Sequence, residues 1–204
     1  MSKVVITGNA SGTGDFTIAA PNSNTNRTLT LPDATGTVLT TAGVPASAMP
    51  AGSVLQVLQT VKTDRFTTTS GTAVDITGFS ATITPTSATS KILVISNFHT
   101  SPGLTGSYTR TQLLRDSTVL GLGSASGSAT SVTAGEIVTN SADNDVLNVG
   151  YTYLDSPATT SATTYKWQMY AFSGRTATFN GSTTTTNSNF FNTSSTITLM
   201  EIAG

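Results

Sequence analysis

The sequence predicts an all-β protein, and three observations carry that expectation. Short apolar runs recur at turn-bounded spacing, as they do in sandwiches and jelly rolls. Thr and Ser supply roughly a third of the 204 residues, and β-branched Thr suits strands, so a polar chain of this kind need not be disordered. No stretch longer than about a turn or two shows convincing helical periodicity. The expected architecture is a short N-terminal β-rich anchor or shaft at residues 1–43, a Pro-containing linker at 44–52, and a sandwich domain at 53–204.

The N-terminal part holds four short apolar segments, at 4–6, 16–18, 28–31 and 37–39. They are separated by GNASGTGD, PNSNTN and PDATG, rich in Gly, Asn, Pro and Asp. Such pieces are too short to enclose a core in one chain, so they are expected to pair with equivalent strands of neighbouring copies. The linker, VPASAMPAG, carries Pro45 and Pro50 and reads as a stiff spacer.

Beyond it, candidate strands fall at 54–61, 74–79, 81–84, 91–98, 109–115, 118–122, 135–139, 146–154, 163–172, 176–179 and 196–202. The first, VLQVLQTV, fits helix or strand by its apolar spacing; Thr60, Val61 and Thr63 tilt it toward strand. Within 148–172, Val149, Tyr151 and Tyr153 share one face of their run, and Tyr165, Trp167 and Met169 share one face of theirs. Pro157 sits between the two runs, and the pattern predicts an aromatic hairpin.

Two strands are apolar on both faces. Ile92, Val94 and Phe98 alternate with Leu93 and Ile95, and near the C-terminus Ile197 and Leu199 oppose Met200 and Ile202. A sheet with one wet face alternates cleanly, so these strands need burial on both sides. One side fills the core. The other meets either a partner subunit or a crossing loop.

Charge points the same way. Only 9% of residues are charged, against about a quarter in typical domains, and the formal net charge is −1. Such a chain offers no general attraction to nucleic acid or acidic lipid, and a lone monomer with so few charges would have a poorly protected surface. Cysteine is absent, which excludes disulfides and thiolate metal sites. The opening MSKVVITGN lacks the apolar core of a secretion signal, and no apolar run approaches membrane-spanning length, so no membrane insertion is expected.

Four segments carry a family resemblance: DITGFSATITPTSATSKILVIS, QLLRDSTVLG, YLDSPATTSATTYKWQMY and STITLMEIAG. In this order they resemble the terminal domain of bacteriophage fibre and appendage proteins, especially of marine and cyanobacterial phages. RTLTLPDATGTVLT resembles the N-terminal or shaft regions of such fibres. The terminal domain looks like the trimeric jelly rolls of the tumour-necrosis-factor and complement-globular type, in which an inner sheet containing the last strand packs around a threefold axis. The resemblance implies a homotrimer, with Ile92, Leu93, Val94, Ile95, Tyr151, Tyr153, Ile197, Leu199, Met200 and Ile202 in the core or at the trimer interface. It further implies a tail fibre or appendage that contacts other virion proteins through its N-terminal segment and displays its jelly roll toward a host-surface glycan. The protein would be made in the cytoplasm of the infected bacterium and reside in the virion. A capsid decoration or head-fibre protein is the alternative, since 204 residues make a short projection; a polysaccharide-degrading enzyme is the competitor of a different class.

Residue chemistry disfavours that competitor. His99 is the sole histidine, which leaves no multi-histidine metal site, and a structural or surface role is expected for it. No pair of carboxylates is nominated by spacing for glycoside hydrolysis. Asp155, before Ser156 and Pro157, reads as a turn residue accepting backbone hydrogen bonds. Glu201, among apolar neighbours, reads either as an interface salt bridge to a residue such as Arg115 or Lys91, or as an exposed strand-end acid. Asp143, Asn144 and Asp145 lack the later glycine and glutamate of a calcium loop and read as a solvated turn. Gly121, Gly123 and Gly127 have no following Lys and read as a flexible loop. No catalytic residue, metal or cofactor is expected. Sugar binding is the chemistry the composition supports, with Tyr108, Asn187, Asn189, Phe190 and Phe191 as candidates in 103–145 and 181–192, the segments that match the family least; for Phe190 and Phe191 burial under the last strand is the alternative.

Overall fold

The computed structural model describes residues 11–14, 17, 22, 24–26, 28, 44–103, 106–137, 145–172, 174–186 and 191–204. The chain separates into two compact units, Met1–Leu39 and Thr40–Gly204, and every described strand belongs to the second. The four N-terminal segments expected from sequence lie outside the described residues, save Thr17 and Thr28.

The strands are β1 (Val54–Lys62), β2 (Phe66–Thr68), β3 (Val74–Ile83), β4 (Lys91–Ser101), β5 (Tyr108–Arg115), β6 (Thr118–Leu120), β7 (Ala134–Ile137), β8 (Leu147–Asp155), β9 (Thr163–Ala171), β10 (Ala177–Phe179) and β11 (Ser195–Ile202). The short β2 was not anticipated. The expected runs 74–79 and 81–84 are one strand with a register shift between Asp75 and Ser80 against β9. Gly78 adopts φ +78° there, a conformation costly for other residues. The irregularity buries both Ile76 and Phe79, which strict alternation would send to opposite faces.

All pairings are antiparallel and most are long-range. β1 pairs with β11, β3 with β9, β4 with β8, and β5 with β6 and β7 laid end to end along one edge. Counting β6 and β7 as one strand interrupted by residues 121–133, eight main strands result among the described residues. The first, eighth, third and sixth make one sheet; the second, seventh, fourth and fifth make the other. This nesting of first with last, second with seventh and so on is the jelly roll. β2 and β10 extend the first sheet beside β4.

That topology corrects the aromatic hairpin. β8 and β9 are consecutive but lie in opposite sheets, and neither pairs with the other. Their aromatic faces meet across the interior, with Tyr151 edge-on to Trp167 at 5.6 Å between ring centroids. The alternation was sound, but period-2 patterning is equally satisfied by pairing within a sheet and by facing across a sandwich.

Phe79, Phe98, Trp167 and Phe179 form the centre of the core through ring contacts of 4.7–5.8 Å. Trp167 Nε1 donates to Ser96 Oγ at 2.9 Å, tying the sheets together without leaving a buried donor orphaned. Toward one end, Asp155 accepts from Arg115 Nη1 at 2.8 and 2.9 Å and from the Tyr165 hydroxyl at 2.6 Å. Asp155 is therefore no turn residue: it ends β8, buried, in a charge-assisted knot that spans the two sheets. Burial, reinforced by the bond to Asp155, pushes the Tyr165 hydroxyl well above the usual tyrosine range, so it stays a donor.

Candidate functional site

The outward face of the first sheet departs from the polar surface expected of a solvated sheet. The register places Val57, Met200, Leu93 and Leu154 in one row across β1, β11, β4 and β8. The next row is Gln59, Thr198, Ile95 and Thr152, and Val54 with Ile202 continues the apolar edge beside Lys91. Val57 is 52% exposed, Leu154 51% and Ile95 36%; Leu93, Met200 and Ile202 are half-buried by their neighbours. Among the described residues no crossing loop covers this face. In these rows Lys91, at their edge, alone carries a full charge.

The ten core or interface residues expected from sequence thus divide by face. Ile92, Val94, Ile197 and Leu199 are fully buried between the sheets, and Tyr151 and Tyr153 pack on that core from its rim. Leu93, Ile95, Met200 and Ile202 point outward. β11 lies between β1 and β4, which makes the last strand interior to its sheet; β8 is the neighbour of β4 on the far side.

Glu201 fits neither expectation. It is 0% exposed and forms no ion pair among the described residues; Arg115 is committed to Asp155. Neutral donors hold it instead: Gln56 Nε2 at 2.6 Å, and the Thr86 amide and hydroxyl each at 2.7 Å. Burial pushes its carboxyl up, but these donors outweigh burial and hold it below the ordinary glutamate range. The carboxylate fastens the 84–90 connection to β1 and β11. His99 lies on the outward side of β4, its Nε2 3.2 Å from Asn148 Nδ2. The 121–133 insertion is anchored by Thr133, whose Oγ1 donates to the Leu120 carbonyl at 2.7 Å; at Gly121, φ +62°, a Cβ would run into the Tyr151 hydroxyl.

Of the sugar-binding candidates, Asn187, Asn189 and Phe190 lie outside the described residues, as do Asp143 and Asn144. Phe191 is 58% exposed, not buried under the last strand. Tyr108 opens β5 on the outer face of the second sheet and sits in a cluster that sequence reasoning missed. Arg110 stacks its guanidinium 4.0 Å over the Tyr108 ring and 5.7 Å from that of Tyr170, and Phe172 braces Tyr108 edge-on at 4.9 Å. The i, i+2 spacing of Tyr108 and Arg110 was legible; Tyr170 arrives across the ladder from β9, and Phe172, just past the end of that strand, donates its amide to the Tyr108 carbonyl. A cleft of about 320 Å³ opens beside Arg110 between β5, β7 and residues 129–132. Glu136, at its edge, turns toward the interior, where Thr100 Oγ1 donates to it, and burial raises its carboxyl above the ordinary range. Among the described residues no group of three or more His, Cys, Asp or Glu is placed to hold a metal ion, and no helix is long and apolar enough to cross a membrane.

No protein-family model matches the chain, and no curated protein matches it. Among solved structures, the chain is similar to that of infectious bursal disease virus, Gx strain, at 13% identity and a TM-score of 0.39, over 73% of this chain and 37% of that one. A mutant VP2 protein of infectious bursal disease virus, in derived T=1 particles, is similar at 11% identity and a TM-score of 0.38, over 72% of this chain and 36% of that one. The chain spans little more than a third of the length of these two structures.

Proposed function

We propose that the protein is a structural component of a phage virion: a homotrimeric tail fibre or appendage that assembles through the outer face of its first sheet and presents its second sheet to a host-surface glycan. The observation that carries this reading is the open row of Val57, Met200, Leu93 and Leu154. Four strands at about 4.8 Å spacing and eight residues at about 3.3 Å make a face of roughly 500 Å², and the apolar row crosses all four strands of it. The resemblance over most of residues 53–204 supports the phage assignment and the threefold arrangement. Residues 1–43 are assigned to anchoring on other virion proteins.

The test is the mass of the full chain in solution. A trimer at micromolar concentration, without added ligand or metal, is the expected result; a monodisperse monomer would overturn the reading. A protein beginning at Ser53 retains every described strand and is expected to stay folded and trimeric while losing incorporation into particles. Labelled copies seen on the capsid shell instead of the tail would replace the fibre by a decoration protein.

A further inference from the structure

We infer that the cleft beside Arg110 binds a uronic-acid unit of a glycan, an inference that rests on the glycan-presenting role proposed above and names its chemistry. The guanidinium is already held in place. It stacks 4.0 Å over Tyr108, which Phe172 braces from the side at 4.9 Å, so little side-chain freedom remains to be lost when its fork meets a carboxylate. Among the described residues three cations have acidic partners, in the pairs Lys62–Asp64, Arg115–Asp155 and Lys166–Asp75. Arg110 has none among them, although it lines a concave site.

The space in front of it is free for a structural reason. Gly135 is the cross-strand partner of Arg110 on β7, so no side chain fills the position where one would normally stand. The cleft, about 320 Å³, lies at the small end of ligand sites and matches one or two sugar rings, not a long segment of chain. Its lining is apolar where a pyranose presents C–H groups: Ile137, 69% exposed, stands there with Ala129 and Val132. Thr130 adds a hydroxyl to the lining. With a net charge of −1 the chain has no broad field to gather a polyanion. Recognition here is local, a bidentate carboxylate contact combined with stacking. The cleft is on the second sheet, away from the apolar outer face of the first, so assembly through that face leaves it open.

Calorimetric titration of the full-length protein with tri-galacturonate and with its methyl ester tests this directly, because the ester keeps the rings and loses the charge. The acid is expected to bind, and the ester to bind about tenfold more weakly or worse, as is the acid to Arg110→Gln. Arg110→Lys, which keeps the charge but not the fork, should fall between. Gly135→Leu fills the cleft from a position whose Cβ would make only ordinary contacts, 3.5 Å to Val132 Cγ2, and should abolish binding even if Arg110→Gln proves unstable. Equal affinity for acid and ester, unchanged binding by Gly135→Leu, no binding of the acid, or equal affinity for an acetylated triaspartate peptide would each overturn the inference. Sedimentation of the same samples separates the two proposals. Uronate binding by a monomer supports the cleft and defeats the assembly, whereas a trimer that ignores uronate defeats the cleft alone.

Discussion

On the outer face of the second sheet, neighbouring side chains satisfy one another: Gln112 Nε2 donates to Gln168 Oε1 at 2.6 Å, Gln168 Nε2 to Asp75 Oδ1 at 2.7 Å, and Lys166 Nζ to Asp75 Oδ2 at 2.8 Å. On the outer face of the first, the row from Val57 to Leu154 offers four apolar side chains and no hydrogen bond. Both faces obey the same alternation over the same core. The outer face of the second sheet is complete in water; the apolar row on the first gains only by leaving it. The difference teaches that a sandwich can carry two kinds of surface, one finished by its own polar ladder and one left apolar.

The largest effect is expected where the contrast does not apply, in the shared core. Leu199→Asp places a carboxylate at a position 0% exposed between the sheets, at a cost above about 4 kcal/mol, comparable to the stability of many domains. Insoluble protein, or loss of the near-ultraviolet dichroism of Trp167, should follow. A soluble, folded Leu199→Asp protein would mean that β11 is peripheral.

The next effect separates the faces. Leu93→Asp adds a charge to the centre of the apolar row and should yield a folded monomer, whereas Gln112→Asp on the opposite sheet should leave the oligomeric mass unchanged. The assembly constant is expected to fall by a factor of about a hundred or more in the first case, since desolvating an unpaired carboxylate costs several kcal/mol. Equal sedimentation of the two variants would erase the distinction between the faces.

Glu201 gives a smaller, pH-dependent effect. Its folded pKa is held below the ordinary glutamate value of 4.5, so the protein binds this proton more weakly when folded than when unfolded. The contribution is therefore fully present above about pH 4.5 and is lost as pH falls through the lower folded value. Glu201→Gln should cost about 1–3 kcal/mol at neutral pH and flatten the denaturation midpoint measured between pH 5 and 3. A variant as acid-sensitive as the parent would move the origin of that sensitivity elsewhere.

The smallest effect belongs to the polar ladder. Lys166 and Asp75 are both accessible, with side-chain exposures of 27% and 52%, so Asp75→Ala should change stability by no more than about 1 kcal/mol and leave assembly untouched. A larger loss would show the ladder to be more than a soluble covering.

What the chain announces by itself is whatever depends on near neighbours. Alternation along 91–98 and 196–202 assigned each apolar residue to its face, and strand positions from 54 onward followed from β-branched runs between turn formers, because side-chain direction has a period of two residues. Long-range partners were beyond its reach. Nothing in 148–172 distinguishes a hairpin from two strands facing across a core. The lone signal at Asp155 was a local turn, while Arg115 reaches it from 40 residues away and converts it into an interior ion pair. Glu201 found neutral donors on the 84–90 connection and β1, not the cations its charge suggested, and Arg110 acquired its cleft only because the roll sets Gly135 opposite it. Local stereochemistry sets where each side chain points; which surface it then meets depends on how eight strands are nested, and that is decided by the burial of the whole core.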